Sequence, residues 1–374
     1  MRLSISCLIL GLVVVATAAA RPKIIIDNDW NAGAYITFLL AIDAGYEVLG
    51  LVGDTANSWS RQTSLHALAL LEIGNLSCIP VHKGTDYPLL NNEGLWETRK
   101  LLHGPLPYEG VFQPYNETAE AIGRDPSSGD PKRLALPAFV EGFPNTTLAS
   151  EDAAAWMVEQ VRKYPGEVLI YSGGAFTNIA LATRMDSSFA SSTKGLVAMG
   201  GYIDVMLYQT SGSKTLADIN SDINLKIDPE ASKIALTAAF PSITLVGNGA
   251  NQVFPDQAYI DDVATAKTPY TNLFQKYYGT ELPFWDELAM FAAIYPNHVT
   301  NATSFYVDVD TAWSSPYYGN IMAYQKILMP RSQNLQKINY INQINATALK
   351  SAMKSAMECP QCISYCGCGS KRKH

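Results

Sequence analysis

Short apolar runs alternate with amphipathic stretches of helical length through the N-terminal half of the chain. This rhythm predicts an α/β fold: an open, doubly wound, mostly parallel sheet with helices on both faces. Lys23 to Ile26 predict a first strand running into Asp27-Asn28-Asp29, and Ala34 to Ala44 predict a helix stopped by Gly45. Val48 to Val52 repeat the strand, Ser60 to Ile73 repeat the helix up to Gly74, and a third strand is expected at Cys78 to Val81. From about 87 to 145 the rhythm gives way to Pro, Gly and Asn, which predicts a surface excursion rather than a domain. It resumes with Ser150 as the expected N-cap of a helix over Ala153 to Lys163, a strand from Val168 to Tyr171, a turn at Gly173-Gly174 and a helix from Thr177. Leu196 to Met199 form another strand ending at Gly200-Gly201, Asp228-Pro229-Glu230 open a helix with Pro in its first turn, and Ile243 to Val246 give one more buried strand. No internal repeat is evident, so one domain over 21–350, followed by a Cys-rich tail over 351–374, is the simplest organisation.

Composition narrows the function. The 374 residues are 48% hydrophobic and 16% charged, ample for a large core, and 34 acidic against 27 basic residues leave a formal net charge of -7. That balance gives no footing for a phosphate backbone, so nucleic-acid polymers are excluded as partners. Residues 1–20 read as a signal peptide: Arg2 is the positive end, Cys7 to Val15 the apolar stretch, and Ala18-Ala19-Ala20 the cleavage site. A secreted protein with no membrane partner after leader removal is expected. Sequons at Asn75, Asn116, Asn145, Asn301 and Asn345 agree with that route. In an oxidising compartment Cys359, Cys362, Cys366 and Cys368 are expected to form two local disulfides rather than a zinc knot, with Cys78 alone.

In an open α/β sheet, ligands bind beyond the carboxyl ends of the strands. Those ends carry Asp27 and Asp29, then Asp54 and Asn57, then Ser172-Gly173-Gly174, then Met199-Gly200-Gly201, with Asp222 and Asn224 in a later loop. No catalytic His, Cys or Ser stands among them. Carboxylates and carbonyls are hard ligands suited to Ca²⁺, and amides beside carboxylates suit the hydroxyls of a sugar. For Asp27 and Asp54 a turn-capping role is the competing explanation. A dinucleotide site is disfavoured because the first strand lacks a G-x-G-x-x-G turn and delivers acids instead. A serine hydrolase is disfavoured by the absence of a G-x-S-x-G elbow; His66 and His82 read as structural.

Several ordered segments carry a closer likeness: IIIDNDW at 24–30, LGLVGDTAN at 49–57, IPVHKGTDYPL at 79–89, PGEVLIYSGGAFTNIALA at 165–182, VAMGG at 197–201, DINLKIDPEA at 222–231 and FWDELA at 284–289. Together they resemble the inosine-uridine preferring nucleoside hydrolases over about residues 22 to 300. The resemblance implies hydrolysis of the N-glycosidic bond of a small-molecule ribonucleoside, a Ca²⁺ ion, and a homodimer or homotetramer. It places Asp29 as a Ca²⁺ ligand that helps deprotonate the attacking water, Gly173 as the source of a carbonyl ligand, and Asp286 as the acid completing the metal shell. Asn57, Asp222 and Asn224 fall on sugar-binding positions, and Met199 and Trp285 join them as substrate contacts.

Three positions depart from the family pattern. Gly33 and Ala34 replace a pair of Asp residues, one expected on the sugar and one on the metal, and Trp285 replaces a His that helps protonate the leaving base. An aromatic can stack on a base but cannot act as its acid. Asp27 or Asp54 could compensate at the metal, and Tyr202 or Tyr208 could donate the proton. The alternative reading is a catalytically silent secreted member that binds a nucleoside or sugar without turnover.

Overall fold

The computed structural model describes residues 20–31, 33–105, 108–203, 211–213, 222–359 and 362–366. The expected leader up to residue 19, Tyr208 and Cys368 lie outside these. In chain order the first elements are β1 (Lys23–Asn28), α1 (Tyr35–Asp43), β2 (Glu47–Gly53), α2 (Ser60–Ile73) and β3 (Val81–Lys83). The excursion carries α3 (Glu93–His103) and α4 (Glu117–Ala121). Then follow α5 (Ala153–Lys163), β4 (Val168–Ser172), α6 (Thr177–Met185), β5 (Gly195–Met199), α7 (Ile223–Ile227), α8 (Pro229–Leu236) and β6 (Ile243–Val246). The C-terminal part adds α9 (Gln257–Ala264), α10 (Pro269–Tyr277), α11 (Trp285–Ile294), β7 (Val299–Val309), β8 (Ile321–Tyr324), β9 (Gln336–Ile344), α12 (Ala346–Glu358) and α13 (Cys362–Tyr365).

The strands form one 9-stranded sheet in the order β3-β2-β1-β4-β5-β6-β9-β7-β8. Six strands from β3 to β6, and β9 beside β6, run parallel; β7 pairs antiparallel with both β9 and β8. The open, mostly parallel doubly wound sheet expected from the apolar rhythm is present, and the antiparallel edge is an addition the rhythm did not announce. Strand periodicity sorts the core into two layers. Ile24 and Ile26 face the layer built with α1, α11 and α12, whereas Ile25 faces the layer built with α5, α6 and α8. Both faces of β1 are covered, which is why its strand reads as an unbroken apolar run.

Local chemistry shifts three expected boundaries. Asp152, not Ser150, caps α5, its carboxylate accepting from the amides of Ala154 and Ala155 because it stands directly before the first turn. The third strand forms at Val81–Lys83 rather than at 78–81, because the amide of Ile79 closes a turn on the carbonyl of Leu76 at 3.0 Å. A boundary at 350/351 falls inside α12, whose Leu349, Met353, Ala356 and Met357 belong to the main core.

The cysteine expectation needs correction. Cys359 pairs locally with Cys362, but Cys366 bonds Cys78, 288 residues away, so Cys78 is not alone. The cause is α12: it packs along α1 and carries the tail back over the turn after α2. There the Tyr365 hydroxyl accepts a hydrogen bond from the amide of Val48 at 2.7 Å. No described helix is long and apolar enough to cross a membrane.

The excursion is more than surface. Trp96, Val111 and Phe112 pack with Ala56, Trp59, Ile223 and Ile227 in a satellite core at the carboxyl ends of the strands. The amide of Val111 donates to the carbonyl of Ala56 at 2.9 Å, which ties the excursion to the loop after β2.

Candidate active site

The strand order reverses between β1 and β4, so chain leaving these two neighbours diverges and opens a crevice at their carboxyl ends. Asp27, Asn28 and Asp29 stand at the end of β1, with Ser172, Gly173 and Gly174 beside them on β4. Asp54 closes β2, Met199 closes β5, and the first turns of α7 and α11 bring Asn224, Trp285 and Asp286 over the same end.

Asn28 organises the centre. Its Oδ1 accepts from the amide of Asp29 at 2.8 Å, and its Nδ2 donates to Oδ2 of Asp286 at 3.2 Å. Oδ2 of Asp29 accepts from the amide of Asn57 at 3.0 Å. The sequence-predicted Asp29, Asn57 and Asp286 are therefore gathered by direct bonds, and Asn28 is the site residue that sequence reasoning missed. Gly173 has to be glycine, since a Cβ there would lie 2.6 Å from Nδ2 of Asn28.

The Nδ2 of Asn224 donates to the carbonyls of Gly173 and Met199 at 3.0 and 3.2 Å, so only its Oδ1 is left for a ligand. Met199 is buried and accepts from that Nδ2 with its Sδ, at 3.3 Å, as well as with its carbonyl. Asp222 holds a loop: its Oδ2 accepts from the amides of Gly201 and Tyr202 at 2.7 and 3.0 Å, and its Oδ1 caps α7. Trp285 is half-buried, its indole N–H bonded to Oδ1 of Asn251 at 2.7 Å. The Tyr202 hydroxyl binds the same oxygen at 3.1 Å, which commits it away from the leaving-group role. Of the two histidines, His82 stacks on Trp156 and His66 stacks on Phe139.

Four acids dominate the electrostatics. Burial pushes Asp27 and Asp286 up to about 8; a neighbouring acid adds to this in each case, while amide bonds from Asn178 and Asn28 oppose it. Burial first, and then the charge of Asp286 on Asp29 and of Asp27 on Asp54, hold both well above the usual carboxylate range. Among the described residues no Lys, Arg or His pairs with any of the four. Asp27 is satisfied by Nδ2 of Asn178 at 3.1 Å. Asp54 is not: both its oxygens are buried without a hydrogen-bond partner, although the nearby amide of Ala175 lowers its pKa against burial.

This donor set fits a hard divalent cation in type and charge, since an orphaned buried carboxylate and acids without counter-charge need one. The side chains are not closed into a shell: among the described residues no three His, Cys, Asp or Glu converge as metal ligands. A side chain at the first of the two departing positions is opposed sterically. A Cβ on Gly33 would meet Cε2 of Tyr278 at 2.8 Å and Oε1 of Glu287 at 3.2 Å, and Ala34 is buried at the start of α1.

The inosine-uridine preferring nucleoside hydrolase family model matches residues 24–351. The chain belongs to that family. A Schizosaccharomyces pombe protein, C800.11, is 30% identical over 96% of this chain and 91% of its own length. The probable uridine nucleosidase 1 of Oryza sativa is 30% identical over 64% of this chain; the match spans 63% of that protein. Among solved structures, the plant nucleoside hydrolase PpNRh1 superposes with a TM-score of 0.70 at 19% identity, covering 91% of this chain and 100% of its own. A purine-preferring ribonucleoside hydrolase from Gardnerella vaginalis gives 0.68 at 16% identity, covering 91% of this chain and 99% of its own. At these identities the two structures speak for the nucleoside hydrolase fold.

Proposed function

We propose that this nucleoside hydrolase family member cleaves the N-glycosidic bond of a ribonucleoside, with a Ca²⁺ ion held by Asp29, Asp286 and the carbonyl of Gly173. The observation that carries the reading is the set of three buried acids, Asp27, Asp29 and Asp54, with the half-buried Asp286, all without a basic partner among the described residues, at the crevice between β1 and β4. Left alone, Asp27 and Asp286 hold their protons near neutral pH, and burial raises Asp29 and Asp54 as well. Held by Asp29, Asp286 and the Gly173 carbonyl, a hard cation would favour the ionised form of these acids and would supply Lewis-acid activation of water.

Asp29, fixed through its Oδ2 by the amide of Asn57, is the group that accepts the proton of the attacking water. The side chain of Asn57 and Oδ1 of Asn224 orient the ribose so that C1′ faces that water. The new C1′–O bond forms as the C1′–N bond breaks, and the base departs with the bonding pair and takes a proton from solvent, which the proton accepted by Asp29 later replaces. Positive charge building on the ribose is stabilised by the acids around it. Trp285 supplies a half-buried ring for the base.

A second reading, binding without turnover, is favoured by one observation: Tyr278 and Glu287 occupy the space a side chain at 33 would need. Release of ribose from a panel of nucleosides, with and without a calcium chelator, separates the two. Turnover abolished by chelation supports the hydrolase; sugar or nucleoside binding with no turnover on any member favours the silent protein.

Secretion is part of the same proposal. All five sequon asparagines are exposed. Asn116 and Asn345 cap helices through Oδ1, accepting from Ala119 and Ala348, which leaves Nδ2 free for a glycan. A mass decrease on enzymatic removal of N-glycans from protein secreted by a eukaryotic host checks it.

A further inference from the structure

An edge strand offers its free amides and carbonyls to any second strand, so a sheet's edges need guarding. Two edges of this sheet are guarded in ordinary ways. β3 has 3 residues, ends on Lys83, and is bonded on its outer side, where the amide of Ala149 donates to the carbonyl of Val81 at 2.9 Å. β8, at the other end of the strand order, has 4 residues and is too short to template much pairing. β7 is different. Of its 11 residues only 306–309 pair with β8, so residues 299–305 pair with β9 on one side and, among the described residues, with no strand on the other.

This open run reads Val-Thr-Asn-Ala-Thr-Ser-Phe, without charge or Pro, and its residues 300–304 are exposed. Such an uncharged run with β-branched residues is the composition that adds strand to strand. The ladder to β9 is irregular on either side of Asn301 but regular from 302 to 307, so the bulge does not close the edge.

Asn301 opens the sequon Asn-Ala-Thr inside this run, and of the five sequon asparagines it alone lies in a strand. Its Oδ1 accepts from Nδ2 of Asn342 at 3.1 Å, and the same Nδ2 donates to Oγ1 of Thr303 at 2.7 Å. The Nδ2 of Asn301, the atom that takes a glycan, makes no hydrogen bond among the described residues.

We infer that an N-glycan on Asn301 covers the open edge of β7 and keeps a second copy of this chain from pairing there. Attachment joins Nδ2 to C1 of the first sugar of a diphospholipid-linked oligosaccharide; the lipid diphosphate leaves with the bonding pair, and Nδ2 gives up one proton. A bulky hydrated chain at 301 denies an incoming strand the approach of about 4.8 Å that a ladder requires. The inference rests on reading the chain as secreted and glycosylated, and occupancy measured sequon by sequon separates the two.

The full chain is secreted from a eukaryotic host, glycopeptide mass spectrometry reads each sequon, and light scattering follows the mass from about 1 to 100 μM, where exposed edges associate. The unaltered protein is expected to carry a glycan at Asn301 and to keep one mass. Asn301→Gln should gain at least about twofold in mass over that range as edge meets edge, with slowed amide exchange over 299–305. Adding Ala302→Lys to that variant should restore the single mass, because a charge on an edge opposes pairing. Asn145→Gln, which removes a glycan outside any helix or strand, should change nothing. If Asn301→Gln is not secreted, Thr303→Val removes the same sequon, keeps a β-branched side chain, and should give the same readings. An empty Asn301 in the secreted protein overturns the inference, as does a constant mass without its glycan. Association that leaves exchange over 299–305 unchanged, or that survives Ala302→Lys, overturns it too. Glycans at the other sequons with none at Asn301 leave secretion standing; no glycan at any sequon is the failure of both.

Discussion

Asn28 and Asp286 are 258 residues apart, yet Nδ2 of one donates to Oδ2 of the other at 3.2 Å, joining the end of β1 to the first turn of α11. The same Asn28 side chain accepts the amide of Asp29. Replacing it by Leu keeps the bulk but strands a buried amide and frees Asp286. Asn28→Leu should cost about 1–3 kcal/mol of stability, read as a lowered urea midpoint with unchanged slope.

Gly173→Ala tests the same contact from β4. Its Cβ would press on Asn28 from 2.6 Å, and the neighbour is a fully buried side chain that cannot swing away. A loss of about 1–3 kcal/mol is expected from overpacking, together with at least tenfold lower ribose release in a protein whose far-ultraviolet dichroism is unchanged.

How much of this was legible follows from strand parity. Asn28 shares a face with Ile24 and Ile26, the face that α11 covers, and so meets Asp286; Asp27 shares a face with Ile25 and meets Asn178 on α6. The period of two was readable in the chain; which helix covers each face was not, because that depends on sheet order. The parallel strands were legible as apolar runs buried on both faces. The β7–β9 edge was not, since β7 is largely exposed and lacks that signature. Cys78–Cys366 was hidden for the same reason as Asn28–Asp286: contacts across 288 residues follow from packing rather than local pattern.

His66 makes alkaline pH destabilising. Burial alone lowers its pKa, but Asp125 and Glu141 outweigh burial and raise it to about 10 from 6.5. A group raised on folding contributes its full stabilisation below the unfolded value, and loses it as pH climbs through the folded value. Stability should therefore decline between about pH 6.5 and 10, and His66→Gln should flatten that decline in urea titrations across the range.

The acids of the crevice predict a coupling between calcium and pH. Asp27 and Asp286, raised to about 8 from 3.8, favour the folded state while protonated and lose that contribution as pH rises from about 4 to 8. The proposed calcium ion would bind the ionised form, so its effect on melting temperature should be small at pH 5 and large at pH 8. At a hundredfold excess over Kd the gain is about 2.7 kcal/mol. A calcium effect that is independent of pH would contradict the placement of these acids.

Cutting the long-range disulfide should loosen the tail from α2. Cys78→Ser removes a link that closes a loop across most of the chain, with an expected loss of about 2–5 kcal/mol. Thermal melting checks the loss, and non-reducing peptide mapping should recover Cys78 joined to Cys366.

The account depends on Asp29 and Asp286 serving one ion. Calorimetric titration of the metal-free protein with Ca²⁺ at pH 8 tests this directly, beside Asp29→Asn and Asp286→Asn. The expected result is one ion per chain, with affinity lost by at least tenfold in each variant. Calcium binding that survives both substitutions, or no binding to the unaltered chain, would contradict it.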